Sequence, residues 1–268
     1  YFMLSNLYHG ASLSATTASL SFTLTFNSNV NGLWRLNRET GAQEWVALTN
    51  HVLNTTLPGG TGDLYTYAAN GFDLSAPQGS VFINSDAAAT NSASVTLTLS
   101  ATDDRGVTRM RFSNDNLTWS DWEAYNTRKQ WSLAFGNGIK KVYAQYQDAV
   151  GTISAICSDT IILDTSPPDV PGTPTDIGAY TDSTTVVFAW GAATDTGGSG
   201  IRGYVCEVGS LPGQDDVFSG DVGNTLTKTI QVFYDNRYFC RVRAVDNAGS
   251  AGSWSQNSNG ISVVQNSG

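Results

Sequence analysis

Apolar and exposed-type positions alternate along most of this chain. Tyr238, Cys240, Val242 and Ala244 alternate with Phe239, Arg241 and Arg243. That is the period of a strand with one face in a core. The run ends in Asp246-Asn247-Ala248-Gly249, which is turn chemistry. A second copy has Val142, Ala144 and Tyr146, then Asp148-Ala149-Val150-Gly151. A weaker echo is Leu64-Tyr65-Thr66-Tyr67 followed by Ala68-Ala69-Asn70-Gly71. One strand-and-turn unit recurring at roughly domain-sized intervals predicts a string of small β-sandwiches. The expected fold class is all-β.

Taken in order, residues 1–10 form an apolar N-terminal segment without a clear period, able to pack on the first domain or on a neighbouring molecule. Leu20, Phe22, Leu24 and Phe26 then alternate with Ser21, Thr23 and Thr25, the cleanest amphipathic strand of the first third. Strands are expected at 33–36, 45–48, 52–57 and 64–67, interrupted by Pro58, Gly59, Gly60 and Gly62. A domain spanning 11–75 is short for a complete sandwich, so one strand is expected to be missing or supplied from elsewhere. Residues 76–80, with Pro77 and Gly79, read as a linker into a second domain, 76–165. Asp164-Thr165-Ser166-Pro167-Pro168-Asp169 is a second linker, stiffened by its prolines, before a third domain, 166–268.

Composition narrows the function. Charged residues make up 14% of the 268, and the net charge is −9. So few Lys and Arg argue against a nucleic-acid partner or an anionic membrane surface. No apolar run approaches the ~20 residues of a membrane-spanning helix, and residues 1–268 are not expected to include a signal peptide. Three cysteines, Cys157, Cys206 and Cys240, leave at least one without an intrachain partner. His9 and His51 stand in different contexts, and no GxSxG, HExxH or Walker pattern occurs. The expectation is a protein that is not an enzyme.

Two families resemble parts of the chain. Residues 84–164 resemble the bacterial immunoglobulin-like repeats of large secreted and surface proteins. The resemblance is carried by 94–103 (Ser-Val-Thr-Leu-Thr-Leu-Ser-Ala-Thr-Asp), 110–115 (Met-Arg-Phe-Ser-Asn-Asp), Trp119-Ser120-Asp121-Trp122 and 158–164 (Ser-Asp-Thr-Ile-Ile-Leu-Asp). Residues 169–265 resemble a fibronectin type III domain. Pro171 and Pro174 match its opening strand and Phe188 and Trp190 its second. Ile201, Tyr204, Cys206 and Val208 match its third, and Tyr238 to Ala244 its sixth, with Tyr238 as the tyrosine-corner residue. Residues 1–75 resemble either family only faintly.

The fibronectin resemblance places strands three and six side by side. It therefore brings Cys206 and Cys240 within reach of a cross-strand disulfide, the alternative being two buried thiols. It also implies that loops at one domain end converge. Asp103 and Asp104 would then approach Asp148, and Asp195 would approach Asp246. Such carboxylates could hold calcium, which takes six to eight oxygens; the alternative is that each shapes its own turn. No other cofactor is expected. Trp119, Trp122, Tyr125 and Trp131 form an aromatic cluster that either stacks on a glycan or partner or covers an open side of the sandwich.

These features predict a secreted or cell-surface structural or adhesion protein that assembles with itself or binds a surface partner. Leu20, Phe22, Leu24 and Phe26 are the candidate assembly residues, because an incomplete sandwich exposes an edge that a neighbour's strand can fill. The rival expectation is a set of accessory modules of a secreted carbohydrate-active enzyme, binding glycan through the second-domain aromatics.

Overall fold

The computed structural model describes residues 2–5, 19–37, 40–58, 61–67, 73 and 75–265, and these are all-β. Two compact units, Tyr1–Ser75 and Ala76–Gly268, divide the chain. The expectations for residues 6–18, for Gly59-Gly60 and for the turn at 68–71 lie outside the described residues.

In the first unit the strands are β1 (Phe2–Ser5), β2 (Ser19–Thr25), β3 (Gly32–Leu36), β4 (Gln43–Ala47), β5 (Val52–Pro58) and β6 (Gly62–Thr66). One sheet has the order β1-β6-β3-β4, and β2 pairs with β5. Leu33, Leu53 and Tyr65 are buried between them. β1 lies antiparallel to β6, with Phe2 opposite Tyr65 and Ser5 opposite Gly62. The Phe2 ring stacks on Tyr65 at 5.5 Å between centroids. Residues 2–5 of the N-terminal segment thus pack on their own unit as an edge strand of its sheet.

The second unit holds two sandwiches. β7 (Gln78–Ile83), β8 (Ala89–Thr90), β9 (Ser94–Thr102), β10 (Val107–Ser113), β11 (Glu123–Ala124), β12 (Arg128–Ser132), β13 (Gly138–Asp148) and β14 (Cys157–Leu163) build the first. β15 (Tyr180–Thr181), β16 (Thr185–Ala189), β17 (Ile201–Gly209), β18 (Phe218–Asp221), β19 (Thr227–Gln231), β20 (Asn236–Asp246) and β21 (Ile261–Val263) build the second. The larger sheets run β11-β10-β13-β14-β8 and β18-β17-β20-β21-β15. The facing sheets are β12-β9-β7 and β19-β16. The order of the larger sheet is equivalent in both sandwiches, including a short strand parallel to the last one. The recurring alternation therefore reports one larger-sheet topology used twice.

Inward residues of these strands make the cores. Leu97, Phe112, Val142, Ala144 and Tyr146 are buried in the first, and Phe188, Tyr204, Cys206, Cys240 and Val242 in the second. The opening stretch of the second sandwich pairs only briefly, with a Gly172 N–H bond to the Gly191 carbonyl beside its bridge. Among the described residues that stretch makes a single bridge, Thr175 to Ala189. Pro171 and Pro174 lack the N–H that a ladder requires.

Serine side chains complete the backbone pairing where strands end early. β21 pairs only with residues 236–238 of β20. Farther along β20, the Ser255 N–H donates to the Val242 carbonyl (2.8 Å) while the Val242 N–H donates to Ser255 Oγ (3.1 Å). Ser258 and Cys240 make the same exchange at 2.8 and 3.1 Å. Ser120 does so with Phe112, and Ser154 with Tyr146. Each serine satisfies a buried backbone N–H and covers a strand edge open to foreign pairing.

Tyr238 forms the expected corner: its hydroxyl donates to the Phe233 carbonyl (3.1 Å) and accepts from the Phe233 N–H (3.0 Å). Tyr238→Phe leaves both backbone groups without this partner in a part-buried site. It is expected to lower unfolding free energy by about 1–2 kcal/mol, read as a lower denaturant midpoint at unchanged slope. An unchanged midpoint would show that the corner contributes nothing.

Candidate functional site at the sandwich junction

The two sandwiches of the second unit meet through side chains from four loops and the linker. Asp164, fully buried, directly succeeds β14. Its Oδ1 accepts from Asn137 Nδ2 (3.3 Å) and the Ser166 N–H (3.2 Å) on the first sandwich's side. Its Oδ2 accepts from the Ser199 N–H (2.8 Å) and Ser199 Oγ (2.9 Å), in the β16–β17 loop of the second. Ser199 Oγ in turn accepts from the Ala248 N–H at 3.0 Å. Asn247 Nδ2 donates to the carbonyls of Ser199 (2.7 Å) and Gly200 (3.1 Å), tying the β20–β21 loop to the β16–β17 loop. Asn91 Nδ2 donates to Ser250 Oγ at 3.3 Å, a direct bond between the two sandwiches.

Glycine is required at two points here. A Cβ on Gly198 would collide with Asp164 Oδ2 and stand 2.7 Å from Asp195 Oδ2. A Cβ on Gly252 would stand 2.5 Å from the Pro168 carbonyl oxygen of the linker.

Asp195 and Asp246 do converge, as expected from the loops at one domain end, and Asp164 joins them. One carboxylate oxygen from each lies within 4.8 Å of the other two. Asp195 Oδ2 accepts from the Gly200 N–H (2.7 Å) and Asp246 Oδ1 from the Ser250 N–H (2.7 Å). Asp195 Oδ1 and Asp246 Oδ2 are buried without a hydrogen-bond partner. Burial pushes the Asp195 carboxyl up, the Gly200 N–H opposes that, and the charges of Asp164, Asp246 and Asp169 push it further up.

Asp103, Asp104 and Asp148 do not form such a trio. Asp148 Oδ1 accepts from the N–H groups of Val150, Gly151 and Thr152 at 2.7–2.8 Å. Burial raises its pKa, but these donors outweigh burial and leave the carboxyl below its ordinary value. Asp103 Oδ1 accepts from the Arg105 N–H (2.8 Å), and Asp104 Oδ2 lies 3.8 Å from Arg105 Nε. Asp103 and Asp148 thus accept from N–H groups of their own turns through Oδ1, while Oδ2 of each is buried without a hydrogen-bond partner.

All four rings of the aromatic cluster are half-buried. The Arg111 guanidinium lies over both Trp119 (4.9 Å) and Trp122 (4.6 Å). Trp131 packs on Phe112 and donates from Nε1 to Asn114 Oδ1 at 2.9 Å. Tyr125 packs edge-on against Tyr146, and its hydroxyl accepts from the Ala101 N–H. A cleft of about 420 Å³ runs between Trp119, Trp131, Asn114 and Asp115. The N–H groups of Leu117 and Thr118, with the Ser113 hydroxyl, hold the Asp115 carboxyl down at about 2.

Cys206 and Cys240 sit on paired strands, each opposite a valine two positions from the other cysteine. Their sulfurs are 3.5 Å apart, and both are free thiols in the core. The hydrogen bond to Cys206, together with burial, pushes the Cys240 thiol up, so it is protonated at neutral pH. Cys157 is a half-buried free thiol whose Sγ lies 3.6 Å from the Ala144 carbonyl.

Among the assembly candidates, Leu24 and Phe26 pack against the small core of the first unit. Leu20 is 48% exposed and Phe22 half-buried. Among the described residues β2 pairs with β5 alone.

Sequence reasoning missed Asp164, Gly198 and Ser199 as junction residues. The signal for Asp164 was its place between the last strand and a double-proline linker. Nothing local marked the other two.

No family model matches the chain. Exoglucanase B of Cellulomonas fimi is 36% identical over 114 residues, 39% of this chain and 9% of that protein's length. Fibronectin(III)-like modules of Clostridium thermocellum CbhA are similar in structure, with TM-score 0.46 and 14% identity, covering 69% of this chain and 94% of theirs. The FN1–FN3 domains of chicken CNTN1 give TM-score 0.43 and 13% identity over 91% of this chain and 94% of theirs. Among the described residues no helix is long and apolar enough to cross a membrane.

Proposed function

We propose that this chain is a non-enzymatic structural segment of an extracellular protein, and that its paired sandwiches act as a stiff spacer. The observation that carries the proposal is Asp164, a fully buried linker carboxylate accepting hydrogen bonds from both sandwiches. A freely hinged linker would leave such a group in water. The stretch similar to an exoglucanase favours a parent protein that works on polysaccharide.

Backbone ¹⁵N relaxation of the full chain tests the spacer reading. Both sandwiches are expected to report one common rotational tumbling, and independent tumbling would overturn the reading. Affinity electrophoresis in polysaccharide-loaded gels separates a spacer from a binding module. Retardation that Trp119→Ala abolishes would make the aromatic cleft a glycan site.

Self-assembly through the N-terminal region is a second reading, supported by exposed Leu20 and half-buried Phe22 on a strand with one described partner. Sedimentation velocity of the native chain against the Leu20→Ser/Phe22→Ser variant tests it. Concentration-dependent polymers lost in the variant would support assembly, and a monomer at all concentrations would exclude it.

A further inference from the structure

The three carboxylates at the junction carry more charge than their hydrogen bonds account for. Asp164 and Asp246 are fully buried, and each contributes an oxygen to a group within 4.8 Å. In that group Asp246 Oδ2 and Asp195 Oδ1 are buried and unpartnered. An unpaired buried carboxylate oxygen is costly, and three neighbouring negative charges raise that cost. No Lys or Arg pairs with any of the three in an ion pair among the described residues.

We propose that Asp164, Asp195 and Asp246 bind one calcium ion that locks the two sandwiches together. Calcium–oxygen distances of about 2.3–2.6 Å put two ligand oxygens of one ion up to roughly 5 Å apart, which matches the observed spacing. Three carboxylates leave the remaining positions for water or carbonyl oxygens, as is usual for calcium's six to eight ligands. Magnesium needs near-ideal octahedral geometry at about 2.0–2.1 Å and gives up its waters reluctantly, so the irregular trio from a linker and two loops favours calcium. The ion would join the linker to the β16–β17 and β20–β21 loops. Calcium binding here depends on the junction alone and not on any association with polysaccharide.

The test is calorimetric titration of the EDTA-stripped full chain with calcium chloride, alongside thermal scans. One ion per chain is expected, with a dissociation constant on the order of 10⁻⁴ M or tighter. At about 100-fold excess over that constant, the melting temperature of the paired sandwiches should rise by roughly 5–10 °C. Asp195→Asn keeps an acceptor for the Gly200 N–H and is expected to fold while losing at least tenfold in affinity. Asp216→Asn, a carboxylate that accepts from Ser210 in the β17–β18 loop away from the junction, should bind as the native chain does. Three outcomes overturn the proposal: no heat and no shift up to about 10 mM calcium (~100 times the expected constant), an equal response to magnesium, or unchanged binding in Asp195→Asn.

Discussion

Asp164→Ala should uncouple the two sandwiches without unfolding either. The substitution removes the acceptor for Asn137, Ser166 and both donors of Ser199, while the two cores lie elsewhere. The two short bonds from Ser199 are the ones lost between linker and second sandwich, and a hydrogen bond to a charged group contributes about 1.5–3 kcal/mol. Part of that loss is offset, because removing one of the clustered negative charges relieves Asp195. The net cost to the junction is on the order of 3 kcal/mol. In calorimetry the native unit is expected to melt in one cooperative transition and the variant in two. In ¹⁵N relaxation the variant's sandwiches should tumble independently. A variant that keeps a single transition and a common tumbling would show that the Asn91–Ser250 bond and the prolines hold the junction without Asp164.

Phe188→Ala acts on a core instead. Phe188 is fully buried inside its sandwich, in one core with Val186, Tyr204 and Val242 among others. Loss of a buried phenylalanine costs about 3–5 kcal/mol, transfer and cavity together, against a total of about 5–15 kcal/mol for a typical domain. The second sandwich should therefore melt far below the first. Hydrogen exchange resolved by residue would show protection lost across β16 to β21 and kept in β7 to β14. The first sandwich should lose only what Ser199 and Asn247 provide at the junction. A loss below about 1 kcal/mol would mean that the site collapses around the smaller side chain.

Much of the fold was legible because alternation reports one buried face directly. β9, β10, β13, β17 and β20 fall where Val95–Leu97–Leu99, Met110–Phe112, Val142–Tyr146, Tyr204–Val208 and Tyr238–Ala244 predict inward positions, and those residues are buried. Tyr238 was legible as a corner because its partner is five residues away. The two-residue strands β8 and β15 were not: two residues carry no period, and their partners are more than seventy residues distant. At the opening strand of the second sandwich the family pattern gives way to proline chemistry, because Pro171 and Pro174 cannot donate to a ladder.

At the candidate site the turn aspartates could be read from the chain alone, since an Asp two to four residues before the N–H groups it caps is a local arrangement. The alternating strands and the low positive charge that disfavours nucleic acid are likewise properties of the sequence. Which aspartates meet was settled by three-dimensional packing. Asp148 and Asp246 end equivalent strands and look alike in sequence, yet Asp246 also meets Asp195 of its own sandwich and Asp164 of the linker, and Asp148 joins no such group. The difference comes from the segment after the last strand of the first sandwich, a proline-stiffened linker that carries Asp164 onto the next sandwich's loops. Through-space repulsion and burial depend on where chain segments converge, and spacing along the chain does not encode that.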